Sequence, residues 1–132
     1  MGTRKALTLV HARARVTVVA PTVTEELAAG AAAGRLRWIE GPFHDAHLEG
    51  VFLAVAATND AALNAALAAA AERAGVLACD ASSAESSQVI FGALLELDGA
   101  TVAVFTDGRD PARSRDTRDR IAACLAADRK RR

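Results

Sequence analysis

Two short apolar runs, each ending abruptly in small and polar residues, dominate the hydrophobic pattern of this chain. They read VTVVAP at residues 16–21 and LAVAATND at residues 53–60. Continuous rather than alternating apolar runs are typical of parallel strands that are buried on both faces. Because ligands bind beyond the carboxyl ends of such strands, the pattern predicts a ligand-binding edge. The residues placed at this edge are Pro21, Thr22, Thr58 and Asn59.

Helical and strand patterns alternate along most of the chain. Thr24 is a predicted N-cap, and the acidic Glu25 and Glu26 after it favour the positive end of a helix. A later helix is capped by Asn59 or Asp60, with Leu63 and Leu67 on its apolar face. The predicted helices cover residues 3–11, 25–33, 61–74 and 112–128, and the predicted strands cover residues 15–20, 36–39, 51–57, 76–79, 89–97 and 101–105.

This order of elements predicts an α/β fold with a Rossmann-like, doubly wound and mostly parallel sheet. The dipeptide Asp98-Gly99 between two apolar runs predicts a C-terminal hairpin, which a polar helix follows. In the usual doubly wound order, a strand and a glycine-rich turn precede the first helix. Here a helix comes first, so we expect the central first strand to be missing and two sheet edges to be left unpaired.

The composition suits one domain that does not bind nucleic acid through bulk charge. The 132 residues include 16 basic and 16 acidic side chains, so the formal net charge is zero. Apolar residues make up 52% of the chain, but aromatic residues make up only 4% and many of the others are alanine. We therefore expect the core to depend on Val, Leu and Ile in the strands.

The cysteines and the hydropathy indicate an intracellular protein. Cys79 and Cys124 are far apart in sequence and lack metal-type spacing, which predicts free thiols in a reducing compartment. The sequence shows neither a secretory leader pattern nor an apolar run long enough to cross a bilayer. We expect a cytoplasmic protein with no membrane partner.

Several short motifs occur in a fixed order along nearly the whole chain. They are GTRK at residues 2–5, ARVTVVAP at 14–21, EGPF at 40–43, LEG at 48–50, AATND at 56–60 with Asn64 after it, and TDG at 106–108 with Pro111. The AATND motif followed by Asn64 is the most specific of them. In this order the motifs resemble the precorrin-2 dehydrogenases, meaning the N-terminal part of siroheme synthases and their stand-alone relatives.

The resemblance implies NAD-dependent oxidation of precorrin-2 to sirohydrochlorin, in siroheme or cobalamin biosynthesis. Many members also insert ferrous iron, so ferrochelatase activity and an Fe²⁺ partner are further expectations. Carried over by position, Gly2 matches the third small residue of the dinucleotide fingerprint. Pro21 and Thr22 match cofactor contacts beyond the second strand, and Thr58 and Asn59 match contacts beside the nicotinamide.

The candidate catalytic residues lie in one loop, where the sequence departs from the family. The frequent catalytic aspartate of the family falls on Ser82, and Asp80 lies two residues earlier. A carboxylate at a strand end can act as a general base, and a serine can hydrogen-bond a propionate of the substrate. Aspartate before Ala-Ser-Ser is also a common turn residue, so a structural role stays open.

Three further groups have both a functional and a structural interpretation. His44 and His47 have helical spacing for a metal site, although solvated histidines in a surface connection are the preferred interpretation. Residues 106–108 form either an anion-binding turn before a helix or a plain turn. The arginines at the start of the last helix either meet substrate carboxylates or form a salt-bridged surface with nearby aspartates; they are Arg109, Arg113, Arg115 and Arg118.

We expect residues 1–111 to form an NAD-binding domain and residues 112–132 to begin a helical dimerisation segment with a basic tail, so the protein would be a homodimer. Met1 lies where the family often has valine, which predicts a natural start further upstream. Two interpretations of the chain remain. It is either the cofactor-binding core of a precorrin-2 dehydrogenase or a non-catalytic homologue that binds a tetrapyrrole or a partner subunit.

Overall fold

The computed structural model describes residues 1–97, 99–107 and 110–129. The chain divides into two compact units, Met1–Gln88 and Val89–Arg132. Asp98 of the expected hairpin turn, Gly108 of the TDG motif, Arg109 and residues 130–132 of the basic tail lie outside the described residues. The domain boundary expected at residue 111 stays a prediction.

The first unit alternates helices with short parallel strands. Its elements are α1 (Gly2–His11), β1 (Thr17–Ala20), α2 (Glu25–Ala32), β2 (Arg37–Glu40), a 3-10 helix (Asp45–Leu48), β3 (Leu53–Ala56), α3 (Ala61–Arg73) and β4 (Leu77–Asp80). Strands β1 and β2 pair in parallel, and so do β3 and β4. Within the described residues no hydrogen-bonded ladder joins β1 to β3. The strands are shorter than the apolar runs predicted, but their order is as expected.

The second unit is a hairpin and a helix. Strands β5 (Ala93–Leu97) and β6 (Ala100–Val104) are antiparallel, and α4 (Pro111–Arg129) follows. Gly99 lies in the hairpin turn with φ +78°, a conformation that favours glycine. No helix in the described part of the chain combines the length and apolarity needed to span a bilayer.

Strand β5 begins later than the sequence predicted. The apolar run from residue 89 suggested a strand there, but the ladder starts where Ala93 pairs with Val104. The ring of Phe105 packs so closely on Gly92 that a Cβ built there would lie 2.8 Å from the ring carbon Cζ. This packing takes the place of a further pair in the ladder.

Each parallel strand pair has its own hydrophobic cluster. Helices α1 and α2 contribute Ala6 and Leu27 to the cluster on β1 and β2, together with Leu36. Trp38 packs against this cluster and donates a hydrogen bond from Nε1 to the Ala20 carbonyl oxygen at 3.0 Å. The carboxyl ends of β1 and β2 are therefore held together by a side chain as well as by the ladder.

Helix α3 covers β3 and β4 with a face of mainly small residues, and the sequence was wrong to place Leu63 on it. Leu63 is 44% exposed and Leu67 is half-buried, whereas Asn64, Ala68 and Ala71 are buried. Alanine on the buried face lets the α3 backbone approach the strands closely, and leucine there would be too large. Asn59 or Asp60 was expected to cap this helix. Asp60 does so, because its Oδ1 accepts from the backbone N–H groups of the first turn.

We expect Ala71→Leu to lower the free energy of unfolding by about 2 kcal/mol, because extra methylene groups in a packed core force strain. Ala71 has no exposed surface. The matched control is Ala69→Leu on the exposed face of the same helix, which should stay within about 0.5 kcal/mol of wild type. Urea unfolding measures both. Equal losses would contradict the assignment of the buried face.

We expect Cys79 to react with a thiol reagent far more slowly than Cys124. Cys79 is buried and Cys124 is exposed. Burial raises the pKa of the Cys79 thiol and Asp80 adds to the rise, while Lys5 and Ser87 oppose it. The reactive thiolate is therefore scarcer at Cys79 at neutral pH. Labelling of Cys79→Ser and Cys124→Ser variants separates the two rates, and a fast reaction of the Cys124→Ser variant would contradict the burial of Cys79.

Candidate functional site

The first turn of α1 lies against the carboxyl ends of both parallel strand pairs. Thr3 Oγ1 is 3.3 Å from Oγ1 of Thr24, the residue that caps α2 after β1. On the other side, a Cβ built on Gly2 would lie 3.4 Å from the carbonyl oxygen of Ala57, directly after β3. The structure therefore brings the segments that follow β1 and β3 to the same helix N-terminus.

The residues that the family resemblance assigns as cofactor contacts are exposed parts of these two segments. Pro21 and Thr22 form the exposed bend after β1, and Thr58 and Asn59 form the exposed bend after β3. Gly2 begins α1, and its N-cap residue Met1 has no side-chain hydrogen bond to the first turn. The first N–H groups of a helix carry partial positive charge, so this end of α1 suits an anionic group.

The bend after β3 is held by hydrogen bonds to Asn64 of α3. The Asn64 Oδ1 accepts hydrogen bonds from the backbone N–H of Thr58 at 2.9 Å and from the Thr58 hydroxyl at 2.7 Å. In return, Asn64 Nδ2 donates to the Thr58 carbonyl oxygen at 3.1 Å. Three hydrogen bonds to one residue fix the backbone of an exposed bend at the edge of the sheet.

The loop after β4 joins a buried carboxylate to an exposed hydroxyl. Asp80 is 4% exposed, whereas Ser82 is exposed. Asp80 Oδ1 accepts from the Ser82 backbone N–H at 2.8 Å and from the Ser82 hydroxyl at 2.5 Å. Short hydrogen bonds from hydroxyl to carboxylate are among the stronger ones in proteins. The arrangement lets Ser82 pass a proton to Asp80 from the surface of the edge.

The loop after β4 is itself braced. Ser87 Oγ accepts from the Asp80 backbone N–H at 2.8 Å and lies 3.1 Å from the Asp80 carbonyl oxygen. Lys5 of α1 is close enough to Cys79, beside Asp80, to lower the pKa of that thiol against the larger effect of burial. A cation of α1 therefore lies near the Cys79 thiol, which precedes Asp80 on β4.

Two residues of the site, Asn64 and Ser87, were not proposed from the sequence as functional. In the sequence analysis Asn64 appears only as the residue that follows the AATND motif. The signal that finds it is a single amide on a helix face otherwise made of alanine, since a buried amide needs partners. Ser87 lies in a serine-rich loop that offers no comparable signal.

The other candidate groups have partners of their own. His47 Nδ1 accepts from the backbone N–H of His44 at 3.0 Å, so the pair caps the 3-10 helix. Thr106 Oγ1 lies 2.7 Å from Ser114 Oγ and bonds the Asp110 carbonyl oxygen. Arg118 pairs with Asp119 at 2.6 Å, in agreement with a salt-bridged surface. Among the described residues no three His, Cys, Asp or Glu side chains are grouped to hold a metal ion.

Known proteins similar to this chain point to one family. A siroheme synthase of Chromobacterium violaceum is 40% identical over 124 residues, covering 94% of this chain and 26% of that protein. Siroheme synthase 1 of Aeromonas salmonicida is 36% identical over 122 residues, covering 92% of this chain and 26% of that protein. The chain thus spans about a quarter of the length of these curated relatives.

The fold is also similar to a solved structure. The structure described as SirC, precorrin-2 dehydrogenase superposes with a TM-score of 0.76 at 28% identity, covering 92% of this chain and 59% of that one. This match confirms the Rossmann-like fold class, and with the siroheme synthases it confirms the resemblance found in the sequence. A family model described as putative NAD(P)-binding matches residues 1–93. The chain therefore belongs to this putative NAD(P)-binding family.

Proposed function

We propose that this chain provides the NAD-binding and catalytic core for oxidation of precorrin-2 to sirohydrochlorin. The observation that carries the proposal is the meeting of three parts at one edge. These parts are the first turn of α1, the bends after β1 and β3, and the Ser82–Asp80 pair after β4. The substrate is inferred from the similar proteins, which are siroheme synthases and a precorrin-2 dehydrogenase.

The residues present fit a dinucleotide at this edge. The α1 N-terminus offers backbone donors for a phosphate, and Gly2 lies close to Ala57 after β3. Pro21 and Thr22 would lie along one half of the dinucleotide, and Thr58 and Asn59 along the nicotinamide half. Bound NAD would supply the hydride acceptor, and the protein supplies binding, orientation and charge.

The Ser82–Asp80 pair is proposed to handle the proton. Oxidation of the reduced macrocycle removes two hydrogens, of which one would leave as a hydride to bound NAD and the other as a proton to a base. Ser82 is exposed at the edge and donates to Asp80, so Ser82 contacts the substrate and Asp80 receives the proton through it. The same base would serve iron insertion, in which Fe²⁺ as a substrate replaces the pyrrole protons.

The remaining expectations belong to the same proposal. We infer a homodimer in the cytoplasm, acting in siroheme or cobalamin biosynthesis, with precorrin-2 and Fe²⁺ as partners. The second candidate is a non-catalytic homologue that binds a tetrapyrrole or a partner subunit.

Thr22→Glu is expected to weaken NAD binding about tenfold, because it adds a negative charge beside the phosphates at the end of β1. The matched control is Thr17→Glu, at the exposed opposite end of the same strand, which should bind NAD as wild type does. Isothermal titration calorimetry measures both affinities. Equal affinities for the two variants would place the dinucleotide elsewhere.

Asp80→Asn is expected to lower kcat for NADH formation from precorrin-2 about a hundredfold, with little change in the KM for NAD, because the variant removes the proton acceptor. Asp45→Asn in the exposed 3-10 helix is the matched control and should leave kcat unchanged. Thermal unfolding of both variants shows that each is folded. A folded Asp80→Asn variant with wild-type kcat would assign Asp80 a structural role in the turn.

A further inference from the structure

Asn64 is the largest fully buried side chain in the described part of the chain, with 1% of its surface exposed. Its side-chain amide makes four hydrogen bonds. Oδ1 accepts two and Nδ2 donates two, which is the number that this group can form. Three of them go to Thr58. The fourth runs from Asn64 Nδ2 to Ser82 Oγ at 3.3 Å. One buried side chain therefore joins the bend after β3 to the loop after β4.

The bond to Ser82 also sets the direction in which the serine hydroxyl points. Asn64 Nδ2 can only donate, so Ser82 Oγ receives that bond through a lone pair. The single hydroxyl hydrogen of Ser82 is then left for the Asp80 carboxylate at 2.5 Å. If Asn64 served only to hold the bend after β3, its bonds to Thr58 would be enough, and the bond to Ser82 would not be needed.

We propose that Asn64 is a positioning residue that couples the cofactor-contacting bend at Thr58 to the proton-handling pair Ser82–Asp80. It orients the Ser82 hydroxyl toward Asp80 and fixes that pair relative to the nicotinamide side of the edge. The inference rests on the proposed function for its kinetic consequence, whereas the hydrogen-bonded link itself is independent of activity. Its burial makes each of these bonds stronger than it would be in water.

The kinetic test is a double-mutant cycle of Asn64→Asp and Ser82→Ala in the full 132-residue chain. Asn64→Asp keeps an acceptor for Thr58 but replaces the donor that faces Ser82. We expect it to lower kcat about tenfold in the wild-type background and to have little further effect in Ser82→Ala, because coupled residues are not additive. An equal loss in both backgrounds would overturn the proposal. Ala71→Gly, on the same buried face of α3, controls for loss of stability and should keep the wild-type kcat.

A spectroscopic test decides the link without activity and without the Asn64 variant. Asn64 is one of two asparagines, so its side-chain amide resonances are readily assigned by NMR. In Ser82→Ala these resonances and the Thr58 backbone amide should shift, whereas in Ala71→Gly they should stay in place. Unchanged Asn64 resonances in Ser82→Ala would overturn the link. If the resonances shift in Ser82→Ala as expected but wild type forms no NADH from precorrin-2, the link stands and the proposed function fails.

Discussion

The contact of the α1 N-terminus with the ends of two strand pairs is the constraint that places every other part of the site. Thr3 meets Thr24 after β1, and Gly2 meets Ala57 after β3. A parallel sheet presents its strand ends at one edge, and a helix end adds partial positive charge there. The proposed dinucleotide site thus rests first on backbone geometry, as in other proteins that bind phosphates at helix ends.

Polar and acidic side chains then supply the proposed reacting groups at this edge. In the described part of the chain no buried side-chain polar atom lacks a hydrogen-bond partner. A continuous set of bonds runs from Thr58 through Asn64 and Ser82 to Asp80, and Ser87 braces its far end. Burying an amide and a carboxylate is costly unless both are fully bonded, so the network stabilises the loops and orders the proposed reacting groups together.

The sequence predicted the strand order, the Thr24 cap and the location of the edge, because these depend on local apolar runs and on turn chemistry. It failed at Leu63 of α3, which hydrophobicity placed on the buried face although alanines fill most of the close contact with the strands. It also placed β5 too early, because the packing of Phe105 on Gly92 is not visible in an apolar run. The role of Asn64 emerged only from tertiary structure, since its partner Ser82 is distant along the chain.

The separate hydrophobic clusters on the two strand pairs have a mechanical consequence. Because no ladder joins β1 to β3 in the part of the chain that the structure describes, their spacing depends on helix packing rather than on backbone hydrogen bonds. Side-chain packing yields to small displacements more readily than a continuous sheet does. The spacing of the strand ends at the proposed ligand-binding edge therefore depends on this packing, and a substitution at Ala6 in the α1 cluster would change that spacing.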